Sequence, residues 1–502
     1  MTVLATESEN FVFLPRIKTE CTMQKKVIGR KEEIRLLNKY AASHRAEFVA
    51  LYGRRRVGKT FLVNQVFKDR LTFSMTGLME GDKNAQLHAF TDALDLYGHP
   101  VTKQPKNWYE AFQILRHFLM EKKQDGKECI VFIDELPCFE TRKSNFVNAL
   151  GYFWNSWASL QDNLLLIVCG SATSWMMKNV IDNHGGLHDR ITHEMHLKEF
   201  NLHEVEEYLR EFGFPWDRAM ALQAYMVMGG IPYYLSLLDP SESLAQNIDR
   251  LYFQAGGEMK REFQRLYKTL FSTPEPYIAI IEALFEKKKG LSRDEIAEAV
   301  KINANGNLTK MLQNLVDCDI IRFYHVKNKT IASRKGLYQL LDFYSIFYLQ
   351  FMKTHTTNEH FWTQSLNTPA INTWMGLSFE RICMTHISQI KQALRIGGMK
   401  TEYYSWRGTD PETQQQAQVD LIIERADRMI NLCEAKYSDK PYLLGKEEYE
   451  KYMRRVDLFK QQTRFSGGII PTFITANGLQ RNAYSEHITA QITMDDLFVE
   501  VL

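Results

Sequence analysis

Residues Phe48-Val-Ala-Leu-Tyr52 run directly into Gly53-Arg-Arg-Arg-Val-Gly58-Lys59-Thr60, and Phe61-Leu-Val-Asn-Gln-Val-Phe67 follow. The first five are apolar and β-prone. The last seven space Phe61, Leu62, Val66 and Phe67 as a helical stripe. Strand, glycine-bearing loop and helix, in that order, form the phosphate-binding arrangement G-x-x-x-x-G-K-[ST]. Its glycines let the backbone of Gly53, Arg54, Arg55, Arg56, Val57 and Gly58 curl, so that successive N–H groups face phosphate oxygens. Lys59 adds a point charge for β- and γ-phosphates, and Thr60 offers a hydroxyl to Mg²⁺. The positive dipole end of the following helix favours the same anion. The bland alternative, a turn that binds nothing, leaves the flanking strand and helix unexplained.

A second motif agrees with the first. Cys129-Ile-Val-Phe-Ile133 is a continuous apolar run ending in Asp134-Glu135. Such runs are strands covered on both faces. Asp134 is placed to hold Mg²⁺ through water, and Glu135 to orient or deprotonate an attacking water, which points to hydrolysis beyond binding. A third strand, Leu164–Cys169, leads into Gly170-Ser171-Ala172-Thr173. Ser171, with Thr173 in reserve, is the candidate sensor of the γ-phosphate; a plain helix N-cap explains the same residues. Arg190, before an expected strand Glu194–Leu197, is either a finger that stabilises transition-state charge or a surface arginine.

Two further segments carry a family resemblance. Val27-Ile-Gly-Arg30-Lys-Glu-Glu33-Ile34 resembles the entry segment of AAA+/STAND-type ATPases, and Gly229-Gly-Ile-Pro-Tyr-Tyr-Leu235 resembles a segment of their helical lid. With the two motifs above, the chain from about residue 25 onward resembles the archaeal-type ATPases. That resemblance implies a P-loop α/β core with a parallel sheet, a helical lid, a winged helix and a C-terminal α/β domain of restriction-endonuclease-like fold. It also implies the sensor and finger roles for Ser171 and Arg190.

The expected division is an extension over 1–25, the core over 26–198, lid and connector over 199–276, winged helix over 277–340 and nuclease-like domain over 341–502. The 502 residues suit several domains, and 45% apolar content allows several cores. A net charge of +2 means that any nucleic-acid contact must use a local patch. Seven dispersed cysteines without a C-x-x-C pair argue for reduced thiols and a cytoplasmic location. No apolar run reaches a membrane span, and Met1–Asn10 lacks a secretion-signal layout.

In the winged-helix stretch, Tyr277–Phe285 reads as one helix. Ser292-Arg-Asp-Glu295 caps a second through Val300, and Asn307–Val316 is a third with Leu308, Met311, Leu312 and Leu315 inward. Ile320–Tyr324 and Lys335–Leu340 are expected wing strands. Thr309, Lys310, Gln313 and Asn314 on the third helix, with Arg322, Lys327, Lys329, Arg334 and Lys335 on the wing, are a candidate DNA face; a packing module that spaces two domains is the favoured reading, because the third helix is not strongly basic. The aromatic-rich stretch 338–375 is expected to pack a helix into the next domain.

Gln418-Val-Asp420-Leu-Ile-Ile423 and Met429-Ile-Asn-Leu-Cys-Glu434-Ala-Lys436 flank a short polar turn, a β-hairpin pattern. Centred on Asp427, it sets residue 420 opposite 434, with 434 and 436 on one face. Asp420, Glu434 and Lys436 then converge as two carboxylates for Mg²⁺ or Mn²⁺ and a lysine for the scissile phosphate. This resembles the D…E-x-K set of restriction-like nucleases, and the resemblance adds Glu380 as a first-helix metal ligand. Val419 replaces the usual proline, and Gln418 is placed to line the site. The expectation is an ATP- and Mg²⁺-dependent ATPase coupled to a DNA nuclease, a homo-oligomer where a finger acts in trans. Its rival is an ATP-switched DNA-binding regulator with an inactive nuclease-like domain.

Overall fold

The computed structural model describes residues 26–123, 126–182, 185–288, 290–327, 336–354, 357–412 and 414–501. The expected 1–25 extension lies outside the described residues, as do Lys329, Arg334, Lys335 and the side chain of Lys327. Among the described residues no helix is long and apolar enough to cross a membrane.

Five parallel strands form the first sheet: β1 (Glu47–Tyr52), β2 (Leu71–Thr76), β3 (Cys129–Asp134), β4 (Leu164–Gly170) and β5 (His193–His196), ordered β2-β3-β4-β1-β5. β3 and β4 are buried along their whole length, as the unbroken apolar runs predict. β4, which follows β3 in sequence, lies between the loop-bearing β1 and the acid-bearing β3 in the sheet. Alternate residues of β1 feed two cores. Val49 and Leu51 pack with the Lys31–Ala41 and Lys59–Phe67 helices, while Phe48 and Ala50 pack with the Trp108–Lys122 and Phe146–Ser156 helices.

The chain then turns helical. Leu202–Glu211 starts on a capping box in which Asn201 and Glu204 bond each other's backbone N–H. Arg218–Met228 ends at Gly229, and Gly230 lies so close to Phe200 that a Cβ there would sit 1.7 Å from the Phe200 carbonyl oxygen. The same strip is tied by Phe200 N–H donating to the Gly230 carbonyl at 2.7 Å. Gly230 therefore ties this helical segment to the end of the core sheet.

Helices Glu275–Glu286, Arg293–Ala299 and Gly306–Asp317 follow, with the Ser292/Glu295 capping box in place and Leu308, Met311, Leu312 and Leu315 buried. Strands β6 (Ile321–Lys327) and β7 (Gly336–Leu340) pair antiparallel. The expected boundary at residue 340 does not separate two sheets. β6 also pairs parallel with β8 (Thr401–Thr409), through Val326 with Ser405 and Lys327 with Trp406. With β9 (Gln416–Arg425), β10 (Met429–Lys436), β11 (Gly468–Thr475) and β12 (Ala490–Thr493) they make one seven-stranded mixed sheet, β12-β11-β10-β9-β8-β6-β7. β6 thus carries β7 on one edge and offers the other to β8.

The aromatic helix Phe343–Phe347 makes one more contact than expected. It packs back on the lid as well as forward: Phe343 meets Tyr225, Tyr344 meets Tyr234, and Phe347 meets both Tyr252 and Trp374. One continuous apolar core accordingly joins one face of the first sheet, the lid, the three-helix module and the Pro369–Thr385 helix.

Candidate functional sites

The loop after β1 curls through positive φ at Gly53 (142°), Arg56 (72°) and Gly58 (92°). At Gly53 only glycine fits, because a Cβ would lie 2.2 Å from the Leu197 carbonyl oxygen. Lys59 Nζ reaches back across the loop, donating to the carbonyls of Gly53 at 2.7 Å and Arg54 at 2.9 Å. Burial pushes its ammonium below the ordinary lysine value, so phosphate charge at this point is favoured. Thr60 Oγ1 donates to Asp134 Oδ2 at 2.7 Å. A hydroxyl and a buried carboxylate thus converge, hard oxygen donors that fit Mg²⁺.

Glu135 follows with φ of 48°, a left-handed conformation that non-glycine residues adopt at a cost of about 1–3 kcal/mol. Ser171 Oγ, from the end of β4, donates to Glu135 Oε2 at 2.9 Å. Lys59, Thr60, Asp134, Glu135 and Ser171 therefore share one end of the sheet. Thr173, the reserve sensor, is buried and starts a short helix. Arg190 does not join them. Its strand pairs His193 with Val49, near the start of β1, while the loop leaves from the other end. The exposed Arg190 is thus separated from the loop by most of a strand, roughly 15 Å at 3.3 Å per residue.

The loop's three arginines point away from the phosphate cradle. Arg54, buried, donates to Asp342 Oδ1 at 2.7 Å. Arg55 donates to Thr269 Oγ1 at 2.5 Å. Arg56 lies 2.8 Å from Glu262 and stacks over Tyr233 at 4.1 Å. Arg30 of the entry segment donates to the carbonyls of Lys198 at 2.6 Å and Val57 at 3.4 Å. Sequence reasoning assigned the arginines only a backbone role. The partners come from segments 200 to 290 residues away, which no local pattern links.

Residues 28–238, which hold the loop, Asp134, Glu135 and Ser171 but not the arginines' partners Glu262, Thr269 and Asp342, match the model described as an ATPase domain predominantly from Archaea. The region is an ATPase domain of that archaeal type. The chain is also 24% identical over 446 residues to the protein MJECL04 of Methanocaldococcus jannaschii, covering 85% of this chain and 94% of that one. Among solved structures it is similar to the Walker-type ATPase of Pyrococcus abyssi, with TM-score 0.47, 19% identity, and 65% of this chain and 96% of that one covered. It is also similar to the ORC2 protein of Aeropyrum pernix, with TM-score 0.39, 13% identity, and 72% and 96% covered.

Beyond the ATPase domain, β9 and β10 form the expected hairpin. Ile430 pairs with Glu424 and Cys433 with Leu421, so the same register sets Asp420 opposite Glu434. Glu380, on the Pro369–Thr385 helix, and Asp420 both line a cavity of about 450 Å³. Burial first, then the charges of Asp420 and Glu434, push the Glu380 carboxyl up to about 7. Glu434 and Lys436 do not line that cavity. Glu434 is held by Arg455 at 2.9 Å and by Lys436 at 3.2 Å, and Lys436 also meets Glu448 at 2.9 Å. Among the described residues, no three His, Cys, Asp or Glu side chains stand together as a metal cage.

The cavity is cationic. Lys288, Arg322, Arg381, Lys451, Arg454 and Arg455 line it against Glu380, Asp410 and Asp420. Arg322, expected on an exposed wing, is instead half-buried on its wall, because β6 is absorbed into the C-terminal sheet. On the third helix Asn314 is also committed, donating to Tyr277 at 2.8 Å and accepting from Ser174 Oγ through its carbonyl at 3.3 Å. Thr309, Lys310 and Gln313 stay exposed. Sequence reasoning missed Lys451, Arg454 and Arg455, although their i, i+3, i+4 spacing on one helix is a legible one-sided cationic patch.

Proposed function

We propose that the chain hydrolyses ATP and uses the nucleotide state to control a DNA-cleaving site in its C-terminal domain. The observation that carries the ATP half is the convergence of Lys59, Thr60, Asp134, Glu135 and Ser171 at one end of the sheet. The loop N–H groups and Lys59 would hold the β- and γ-phosphates. Thr60 and Asp134 would hold Mg²⁺, which supplies charge neutralisation on those phosphates. Glu135 would accept the proton of the attacking water, and the Ser171 hydroxyl fixes the carboxylate's orientation for that transfer.

Coupling would run through the three arginines. A loop that tightens on phosphate pulls Arg54, Arg55 and Arg56, and with them Asp342, Thr269 and Glu262. Asp342 caps the aromatic helix, accepting from Ser345 N–H at 2.9 Å, and that helix packs on both the lid and the Trp374 helix. The three-helix module and the nuclease-like sheet would move as one body, since β6 belongs to both.

In the C-terminal site, Glu380 and Asp420 would hold Mg²⁺ or Mn²⁺, and Lys436 would steady the scissile phosphate once Glu434 is released from Arg455. The test is incubation of the full chain with plasmid and linear DNA and either metal. Cutting that disappears in Asp420→Ala and Lys436→Ala supports the nuclease. A wild type that hydrolyses ATP and cuts nothing favours a second reading, an ATP-switched DNA-binding regulator. One observation favours that reading: both Glu434 oxygens are committed to cations, as in a site kept for anion binding.

A further inference from the structure

The cavity wall is built from two parts of the chain that the sequence sets apart. Lys288, Arg322, Tyr324 and Gln339 come from the three-helix module and its strands, whereas Arg381, Asp420 and Arg455 come from the C-terminal domain. Arg322 is fixed there rather than merely nearby. Gln339 Oε1 accepts from its Nε at 2.9 Å and its Nη2 at 2.6 Å, and Gln339 Nε2 donates to the Lys288 carbonyl at 2.7 Å. The guanidinium also lies over the Tyr324 ring at 4.8 Å. One edge of the fork is therefore tied down, the ring supports its face, and Nη1 makes no protein hydrogen bond among the described residues. A planar fork held in this way is pre-organised for a phosphate.

A second observation points to an absent anion. Arg381 is only 7% exposed and lines the same cavity, yet its Nε has no hydrogen-bond partner among the described residues. Arg455 Nε is likewise buried without a partner. Buried cationic donors without acceptors cost free energy that a bound anion would recover. The six cations outnumber the three carboxylates, and the cavity volume falls in the range of small-ligand pockets, suited to a nucleotide unit or two.

We propose that Arg322, with Lys288 beside it, is a phosphate-binding residue of the C-terminal site, which is thus a composite site for the phosphates of a DNA strand. This rests on the proposed DNA reading of the C-terminal domain, and it assigns the three-helix module a contact in that site, distinct from the exposed third helix. Gln339 is a positioning residue that acts through Arg322.

The experiment is fluorescence anisotropy of the full chain with labelled single-stranded and duplex oligodeoxynucleotides, in Ca²⁺ so that no strand is cut, over a series of salt concentrations. Arg322→Gln and Lys288→Gln are compared with wild type and with the distant, exposed Lys103→Gln as a charge-loss control. Lys288 is exposed, so its variant reports on binding without a risk to folding. Each cavity variant should weaken binding about 10-fold and lower the salt slope by about 0.7–0.9, the loss of one phosphate contact, while Lys103→Gln changes neither. Gln339→Ala should weaken binding less than Arg322→Gln, and Arg322→Lys should restore the slope but only part of the affinity. Strand binding by wild type that both cavity variants match would overturn the composite site and leave the DNA reading standing. A wild type that binds neither strand form would overturn both.

Discussion

Breaking the Arg54–Asp342 pair should destabilise the molecule far more than removing it whole. The two side chains are 4% and 2% exposed and meet at 2.7 Å. Arg54→Met strands a buried carboxylate, and Asp342→Asn strands a buried guanidinium whose Nε and Nη2 already lack partners. Removing one partner of such a pair costs about 3–5 kcal/mol, whereas replacing both by neutral groups is often near neutral. Asn keeps the helix cap at 342, since its side-chain oxygen still accepts from Ser345 N–H. At roughly 2–4 °C per kcal/mol for a unit of this size, each single variant should lower the first unfolding midpoint by roughly 6–20 °C. The double variant should recover most of that loss. Scanning calorimetry on the four proteins closes the cycle. Single variants that melt within a degree or two of wild type, or a double variant as unstable as the two losses summed, would show that the pair is not the rigid link between loop and helix described above.

Four other outcomes follow from single residues. Glu135→Gln should retain ATP binding and lose about 10²–10⁴-fold in hydrolysis rate, the range for a general base. Ser171→Ala should lower kcat by about 10-fold with KM unchanged, because the hydroxyl acts on Glu135 and not on bound nucleotide; a matching rise in KM would place it on the phosphate instead. His386 is buried, accepts from Leu202 N–H through Nε2 at 3.0 Å, and is pushed down to about 4 by that burial. Its folded value lies below the ordinary 6.5, so the unfolded chain binds the extra proton first. Stability is then complete above about pH 6.5 and is lost as pH falls toward 4, by roughly 3 kcal/mol. Thermal melts from pH 7.5 to 4.5 should show this slope in wild type and a weaker one in His386→Gln. Gly230→Ala places a methyl 1.7 Å from the Phe200 carbonyl oxygen and should yield a chain whose lid is cut by trypsin at native temperature.

The loop end of the first sheet was readable because its residues lie at the ends of apolar runs. A strand boundary fixes where Lys59, Asp134 and Ser171 emerge, and parallel pairing brings those ends together. The hairpin register was readable for a similar reason: two strands joined by a tight turn leave one pairing that keeps Ile422, Leu432 and their neighbours buried. Arg190 was not readable, because a short edge strand gives no sign of how far along β1 it starts. The Arg54, Arg55 and Arg56 contacts were invisible for another reason. Their partners at 342, 269 and 262 are set by tertiary packing, and periodicity carries no information about that. The junction of β6 with β8 was hidden likewise, since Val326 and Lys327 look like any wing tip until a strand 80 residues on supplies the second edge. That junction moved Arg322 from an expected exposed wing to a cavity wall.

The proposed control of the C-terminal site by ATP turnover is the step to test first. The most direct measurement is the rate of DNA cutting by wild type with ATP, set beside Glu135→Gln with ATP under the same metal and salt. If that control operates, the variant, locked with nucleotide bound, cuts at a rate several-fold different from wild type, while Lys59→Ala loses the response to ATP. Equal cutting rates in all three proteins, with and without ATP, would contradict it.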